Sequence, residues 1–391
     1  MSKLDELYER LGVRKGISAA GSTTMYGGSK LRPEVTEIMI EASTVMLDMD
    51  ELNKAAGQMI GELTGAESGL VTSGSAGGLL LQACAVIAGD DPKKMAQLPD
   101  TEGMNNEIII QRSQRFPYDQ CYRAAGAKFI EIGDGKRCHE WQLEAAFSDK
   151  TAAVAYLFSP GTSKLALPLD RVCEIAHERG VPVIVDAASM LPPRENLSKY
   201  HKMGADLVIH SGGKGIRGPQ GTGLLSGKKH LIEAAFANAS PHQFLGRSAK
   251  VAKEEIVGIL TALHNFVNED ETAEMEKFKK RSQKVVDAFS ETPGLDVELK
   301  FDKSDYLTPN ASIIFNEEWE GPLAPEVIQR MREGDQPIFI SNLIRPDELI
   351  FDPLNVDDNE VDTVIKKIRE SMNWCEWCLI NFKFQKEMKS E

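Results

Sequence analysis

Five apolar runs constrain this 391-residue chain more than any other feature in it. They lie at 107–111, 128–132, 152–158, 181–185 and 207–210, rich in β-branched residues and with no polar alternation. A strand with one face in water alternates, whereas a strand covered on both faces does not. Helical stretches such as Leu169 to Arg179 separate the runs, so the chain reads as α/β, a mostly parallel sheet between helices. Other helices are expected at 1–14, where Leu4, Leu7 and Leu11 recur at helical spacing, and at 50–63, which Gly65 ends. The face Ile256, Ile259, Leu260, Leu263 and Val267 predicts another over 255–267, followed by one at 275–289. Residues 90–106 turn polar with two prolines and read as an inserted surface loop. Short strands at 311–315, 337–340 and 348–351 with a helix at 361–372 make a small α+β domain. The tail after Lys383 is charged and expected to fray.

Three motifs carry chemistry. Asp206 to Gly223 begins as a strand, breaks at Ser211 into paired glycines, presents Lys214 and stays rich in glycine until Leu224. A lysine set among small residues at a strand end loses solvent, which lowers its ammonium pKa, as a Schiff-base lysine requires. The competing reading is a solvated loop lysine. Upstream, Val181 to Ser189 places Asp186 at the carboxyl end of a β-branched run, where open parallel sheets hold ligands. A carboxylate there keeps a pyridine nitrogen protonated, and a protonated pyridine is the electron sink of pyridoxal 5'-phosphate. Ala188, one alternation along, is small enough to let such a ring lie flat, while a helix cap is the alternative role for Asp186. The third motif, Leu70 to Gly78, runs strand, glycine turn, helix start. It gathers free N–H groups and a positive dipole end at one point, a phosphate cradle. Ser75 and Ala76 would offer amides around Gly74, Ser73 or Ser75 a hydroxyl, and Ser211 a further hydroxyl.

Phosphate turn, Asp-x-Ala at a strand end and Ser-x-x-Lys, in that order, resemble the fold-type-I pyridoxal-phosphate enzymes. Ser211 to Gln220, the Gly27-Gly28-Ser29 segment and Gly246 to Glu255 resemble the selenocysteine synthase-like branch, which holds seryl-tRNA selenium transferase and D-glucosaminate-6-phosphate ammonia-lyase. The likeness runs from about Ile17 to Ile368. It implies a mostly parallel seven-stranded sheet between helices, plus a small α+β domain. It also implies an arm at 1–45 crossing the active site, a cofactor-binding domain at 46–250, and interdomain helices with the small domain at 251–391. By the same resemblance the residue stacking on the pyridine falls within Gln111 to Asp119, where Gln114, Arg115, Phe116 and Tyr118 are available and Arg115 is chosen. Thr162 or Ser163 would reach the cofactor. Ser29, Arg217, Arg247 and Lys250 would serve an anionic substrate, and Arg345 its carboxylate, because the Pro337-Ile338 region lacks the arginine that relatives carry there. Ser18 stands where close relatives have asparagine.

The resemblance implies a lyase reaction. Lys214 removes the α-proton of an amino-acid-like substrate, and elimination then releases a 2-oxo acid and ammonia. Aminotransfer, racemisation and aldol cleavage share the first steps. Selenium transfer on a tRNA needs a basic face, and a net charge of −14 opposes that and any resting nucleic-acid partner. A P-loop reading of Gly212-Gly213-Lys214 fails because Gly215, not Ser or Thr, follows the lysine. A non-catalytic scaffold would not need Lys214 and Asp186. The six cysteines are scattered, which suits a reducing compartment, and Cys375-x-x-Cys378 lacks a second pair for zinc, so no metal is expected. With no apolar leader or span, the expectation is a cytoplasmic homo-oligomer.

Overall fold

The computed structural model describes residues 2–159, 165–302, 306–342 and 345–373. They divide into two compact units, one of residues 28–269 and one of the segments before 28 and after 269. Strand β1 (Ile17–Ser18) belongs to the smaller unit. The larger unit holds β2 (Ser68–Ser73), β3 (Glu107–Gln111), β4 (Lys128–Ile132), β5 (Thr151–Leu157), β6 (Val183–Asp186), β7 (Leu207–Ser211) and β8 (Thr222–Gly227). These form one seven-stranded sheet in the order β2-β8-β7-β6-β5-β3-β4. Strands β3 to β7 pair in parallel and β8 runs antiparallel to β7, so the sheet is mostly parallel as the unalternating runs demand.

Two apolar layers cover the sheet. Helix Gly74–Ala88 lies on one face, over Leu70, Ile184, Ile209 and Leu225. Its Gly78 is needed for that approach, since a Cβ there would fall 2.4 Å from the Ile209 Cδ1. On the other face Val71 and Leu224 join Ile60 of helix Met49–Thr64 and Ile256, Ile259 and Leu263 of helix Lys253–Asn268.

In the smaller unit β9 (Leu295–Lys300), β10 (Asn310–Phe315) and β12 (Glu348–Phe351) form an antiparallel sheet in the order β12-β10-β9. There β1 pairs in parallel with β11 (Ile338–Phe339). Helices Glu271–Phe289, Ala324–Met331 and Val361–Met372 close its core around Ile313, Met331, Phe351 and Val364.

Two expectations differ from what is seen. The units part at 27/28 and 269/270 rather than 45/46 and 250/251, because the apolar face of Lys253–Asn268 is buried in the core of the larger unit. The stretch 90–106 is not all loop. Asp91 caps a helix at Pro92–Gln97, accepting the N–H groups of Lys93 and Lys94 at 2.9 and 3.3 Å. The helix expected at 1–14 forms over Lys3–Leu11, and none of its residues is buried.

Candidate active site

Strand β7 ends at Ser211 and the chain turns back into β8 through a loop that only glycine can build. A Cβ on Gly213 would sit 2.4 Å from the Gln220 Cα, and one on Gly215 2.2 Å from the Leu191 carbonyl oxygen. The loop is laced by its own backbone, with Gly212 N–H donating to Thr222 O at 2.9 Å and Gly218 N–H to Gly212 O at 2.8 Å. Arg217 takes a left-handed conformation at φ 60°, and its N–H donates to the Lys214 carbonyl at 2.9 Å. The Ser29 hydroxyl donates to that same carbonyl at 2.8 Å. Ser29, which the resemblance makes a substrate contact, thus also braces the lysine. Lys214 is partly buried, and desolvation lowers its pKa while the charge of Asp186 opposes the shift.

Asp186 is 5% exposed at the end of β6. Its Oδ1 accepts the Ala188 N–H at 2.9 Å, and burial pushes its pKa up to about 6 against the pull of that bond and of Lys214. Side chains alternate along a strand, so Asp186 shares the face of Ile184, and Ser211 that of Ile209. Both strand ends thus present polar groups on the side of helix Gly74–Ala88. Beneath them runs a brace that the motifs did not reveal. The Tyr122 hydroxyl donates to Gln82 Oε1 at 3.0 Å, and Gln82 Nε2 donates to the Val185 carbonyl at 3.2 Å. The signal was present, since Gln82 is the one strongly polar residue in the run Leu79 to Ala88.

The phosphate turn forms as expected in outline. Gly74 is left-handed at φ 63°, and its N–H is taken by the Gly221 carbonyl at 2.6 Å, which ties the turn to the lysine loop. The Ser73 side chain makes no cap bond. The opening N–H groups of a helix have no acceptor within it, so Ser75 and Ala76 can offer theirs to an anion. Thr72, whose hydroxyl donates to the Gly74 carbonyl at 2.8 Å, holds the turn from below. The segment 246–250 packs on the same helix. A Cβ on Gly77 would lie 3.5 Å from the Ala249 Cβ, which sets the exposed Arg247 and Lys250 beside the turn. Arg247 Nη1 donates to the Ser240 hydroxyl at 2.9 Å.

Other candidates have partners of their own. Arg115 is committed to ion pairs with Asp119 and with Glu131 of β4, its guanidinium 4.7 Å from the Phe129 ring centre. Two carboxylates and one ring explain its position, and none of them is readable from the local motif. Gln114 is fully buried, its Nε2 donating to the Leu157 carbonyl at 3.1 Å. Arg345, in the smaller unit, pairs with Asp347 through Nη2 at 2.6 Å and Nε at 3.1 Å. Thr162 and Ser163 lie outside the described residues.

A desolvated lysine, a buried carboxyl whose charge acts on it and an uncapped helix start suit an aldehyde-bearing, phosphorylated pyridine, and the comparisons agree. The aminotransferase class-V family matches residues 106–265. The chain is 30% identical over 370 residues to D-glucosaminate-6-phosphate ammonia lyase of Salmonella typhimurium (strain 14028s / SGSC 2262), covering 93% of this chain and 97% of that protein. The chain belongs to this family of fold-type-I pyridoxal-phosphate enzymes. Its fold matches a solved D-glucosaminate-6-phosphate ammonia-lyase with a TM-score of 0.81 at 29% identity, over 94% of this chain and 98% of that one. It is also 29% identical to a 5'-C-glycyluridine monooxygenase-decarboxylase of a Streptomyces species, over 93% of this chain and 91% of that protein. A serine palmitoyltransferase of Sphingomonas wittichii shares the fold alone, with a TM-score of 0.59 at 13% identity, covering 94% of this chain and 95% of that one.

Membership makes the chain a pyridoxal-phosphate-dependent enzyme of the ammonia-lyase kind. The described residues fit that cofactor. The raised pKa of Asp186 is what a buried carboxyl shows when one backbone N–H and a nearby ammonium are its only support, and a pyridinium beside it would restore the ionised form. Among the described residues no helix is long and apolar enough to cross a membrane, and no cluster of His, Cys, Asp and Glu could hold a metal.

Proposed function

We propose that this enzyme deaminates an anionic, amino-acid-like substrate bearing a hydroxyl or other leaving group on its β-carbon, a class that includes phosphorylated amino sugar acids. The observation that carries the reading is the pairing of a desolvated Lys214 with a buried Asp186 beside an uncapped helix start. Pyridoxal phosphate supplies, when bound, the electron sink for a carbanion at the substrate α-carbon. The chain's own groups do the rest.

With pyridoxal phosphate bound, Lys214 Nζ would be the amine that holds it and, when free, the base that takes the substrate α-proton. Its lowered pKa raises the fraction of neutral amine available for both tasks. The Asp186 carboxylate would hold a proton on the ring nitrogen of the bound cofactor. Ser75 and Ala76 N–H groups, with the Ser73 or Ser75 hydroxyl, bind the phosphate, and Ser211 adds a hydroxyl from the strand end. Ala188, being small, would leave room for the ring to lie flat. Loss of the β-hydroxyl as water, followed by hydrolysis of the resulting enamine, gives one 2-oxo acid and one ammonia. Arg217, Arg247 and Lys250 serve the anionic tail, and Arg345 the carboxylate after releasing Asp347. The enzyme works as a cytoplasmic homo-oligomer.

The test is a screen of 2-amino sugar acids, with and without a terminal phosphate, for matched release of ammonia and 2-oxo acid. Equal release, with the phosphorylated form preferred at least tenfold in kcat/KM (roughly 1.4 kcal/mol), supports the reading. Amino transfer to a 2-oxo acceptor, or carbon dioxide release with oxygen uptake, contradicts it.

A further inference from the structure

Helix Gly74–Ala88 crosses the sheet one strand per turn. At its start Gly74 lies against β8, where a Cβ on Gly223 would fall 2.6 Å from the Gly74 carbonyl oxygen. One turn on, Gly78 meets Ile209 of β7. A second turn brings Gln82 to β6, its Nε2 donating to the Val185 carbonyl at 3.2 Å. The spacing matches, since a helix advances about 5.4 Å per turn and paired strands stand about 4.8 Å apart. Residues 74, 78 and 82 therefore reach the neighbouring strands β8, β7 and β6 in turn.

Each end of this crossing carries a part of the candidate site. The first turn offers the Ser75 and Ala76 N–H groups, and the residue after Val185 is Asp186. A cofactor held by its phosphate at one end and its ring nitrogen at the other needs the two fixed at one separation. Apolar contact does not fix it, because the packing of Leu79 and Ala83 into the core with Ile184 and Ile209 is not directional. A hydrogen bond is directional, and Gln82 supplies one from a fully buried position. Tyr122 of helix Gln120–Ala124, also buried, donates its hydroxyl to Gln82 Oε1 at 3.0 Å, which leaves Nε2 turned to Val185. Burial raises the Tyr122 phenol well above its usual range, so this donor keeps its proton.

We propose that Gln82, locked by Tyr122, sets the separation between the phosphate turn and Asp186. Both are positioning residues, acting through the helix and through β6. The inference rests on the turn holding the phosphate and on Asp186 facing the ring nitrogen, and not on which substrate is used.

The test compares two ligands on the full, cofactor-free chain. Inorganic phosphate needs the turn alone, and pyridoxal 5'-phosphate needs both ends. Gln82→Met keeps the volume and loses both bonds. It should raise the Kd for pyridoxal 5'-phosphate roughly tenfold, the scale of one buried hydrogen bond, and leave the Kd for inorganic phosphate within about twofold. The pH midpoint of the cofactor's lysine-linked absorbance should move by about half a unit as Asp186 shifts. Tyr122→Phe keeps Gln82 but frees its Oε1, and should give the same pattern at about threefold. The double variant should be no worse than Gln82→Met, because both substitutions cut one chain. A cofactor Kd and midpoint that stay put overturn the proposal, as do effects that multiply in the double variant. So does a phosphate Kd that rises as much as the cofactor's, since the turn itself would then be damaged. Should Gln82→Met fail to fold, Tyr122→Phe decides, and an unchanged cofactor Kd there contradicts the proposal. Asp186→Asn separates the two readings. If it moves neither cofactor Kd nor midpoint, the site assignment fails and the inference with it, whereas movement there and none in Gln82→Met sinks the inference alone.

Discussion

Asp186 and His210 lie on neighbouring strands of one sheet, each is almost fully buried, and burial drives both towards the uncharged form. They differ in what opposes the burial. Asp186 has a backbone N–H and the charge of Lys214, and settles at about 6, within reach of ionisation near neutral pH. His210 faces aromatic rings, and the like charge of His201 adds to the push, so it settles at about 3. One face of the sheet thus keeps a titratable group poised for chemistry, while the other locks one in its neutral form. A buried ionisable residue becomes reactive when a partial counter-charge stops it short of full neutrality.

The most severe way to break this contrast is to remove the counter-charge and nucleophile together. Lys214→Ala should lower kcat by roughly 10³-fold or more, measured with any turned-over substrate, while the protein remains folded. Asp186→Asn comes next, with a loss of roughly 10²-fold in kcat and an opposite effect on stability. The folded pKa of about 6 lies above the unfolded 3.8, so the folded chain binds the extra proton between those values. Stability from this group is full below pH 3.8 and is lost as pH rises through 6. Without cofactor, Asp186→Asn should therefore be more stable than wild type at pH 8 by about 1–3 kcal/mol, and no more stable at pH 4. Urea melts at the two pH values check it.

Gly215→Ala probes the loop itself. The added methyl meets the Leu191 carbonyl, and the expected penalty is about 1–3 kcal/mol in urea unfolding, with kcat reduced. On the other face the sign reverses. The folded pKa of His210 lies below its unfolded value near 6.5, so the unfolded chain binds more protons between about 3 and 6.5 and stability falls as pH drops through that window. His210→Phe should flatten the slope between pH 6.5 and 5 by up to about 1.4 kcal/mol per pH unit relative to wild type. The smallest effect is that of Ser29→Ala, which removes one bond to the Lys214 carbonyl and should cost about 1 kcal/mol.

The sheet was legible because strands buried on both faces leave unbroken β-branched runs, and the order of the three motifs gave the chemistry. Less was legible where a residue's role depends on partners far along the chain. The amphipathic pattern of 255–267 announces a helix but not which core it enters, hence the misplaced boundary. Arg115 looked available because Glu131, which holds it, sits on a different strand. The helix at Pro92 could have been found, since Asp91-Pro92 is a cap followed by proline at the first helical position.

The most direct test is the purified protein's absorbance, followed by borohydride reduction and peptide mapping. A yellow protein bleached by borohydride, with the reduced cofactor on the peptide containing Lys214, is the expected result. A reduced cofactor recovered on any other lysine, with Lys214→Ala still bleaching, would contradict the account.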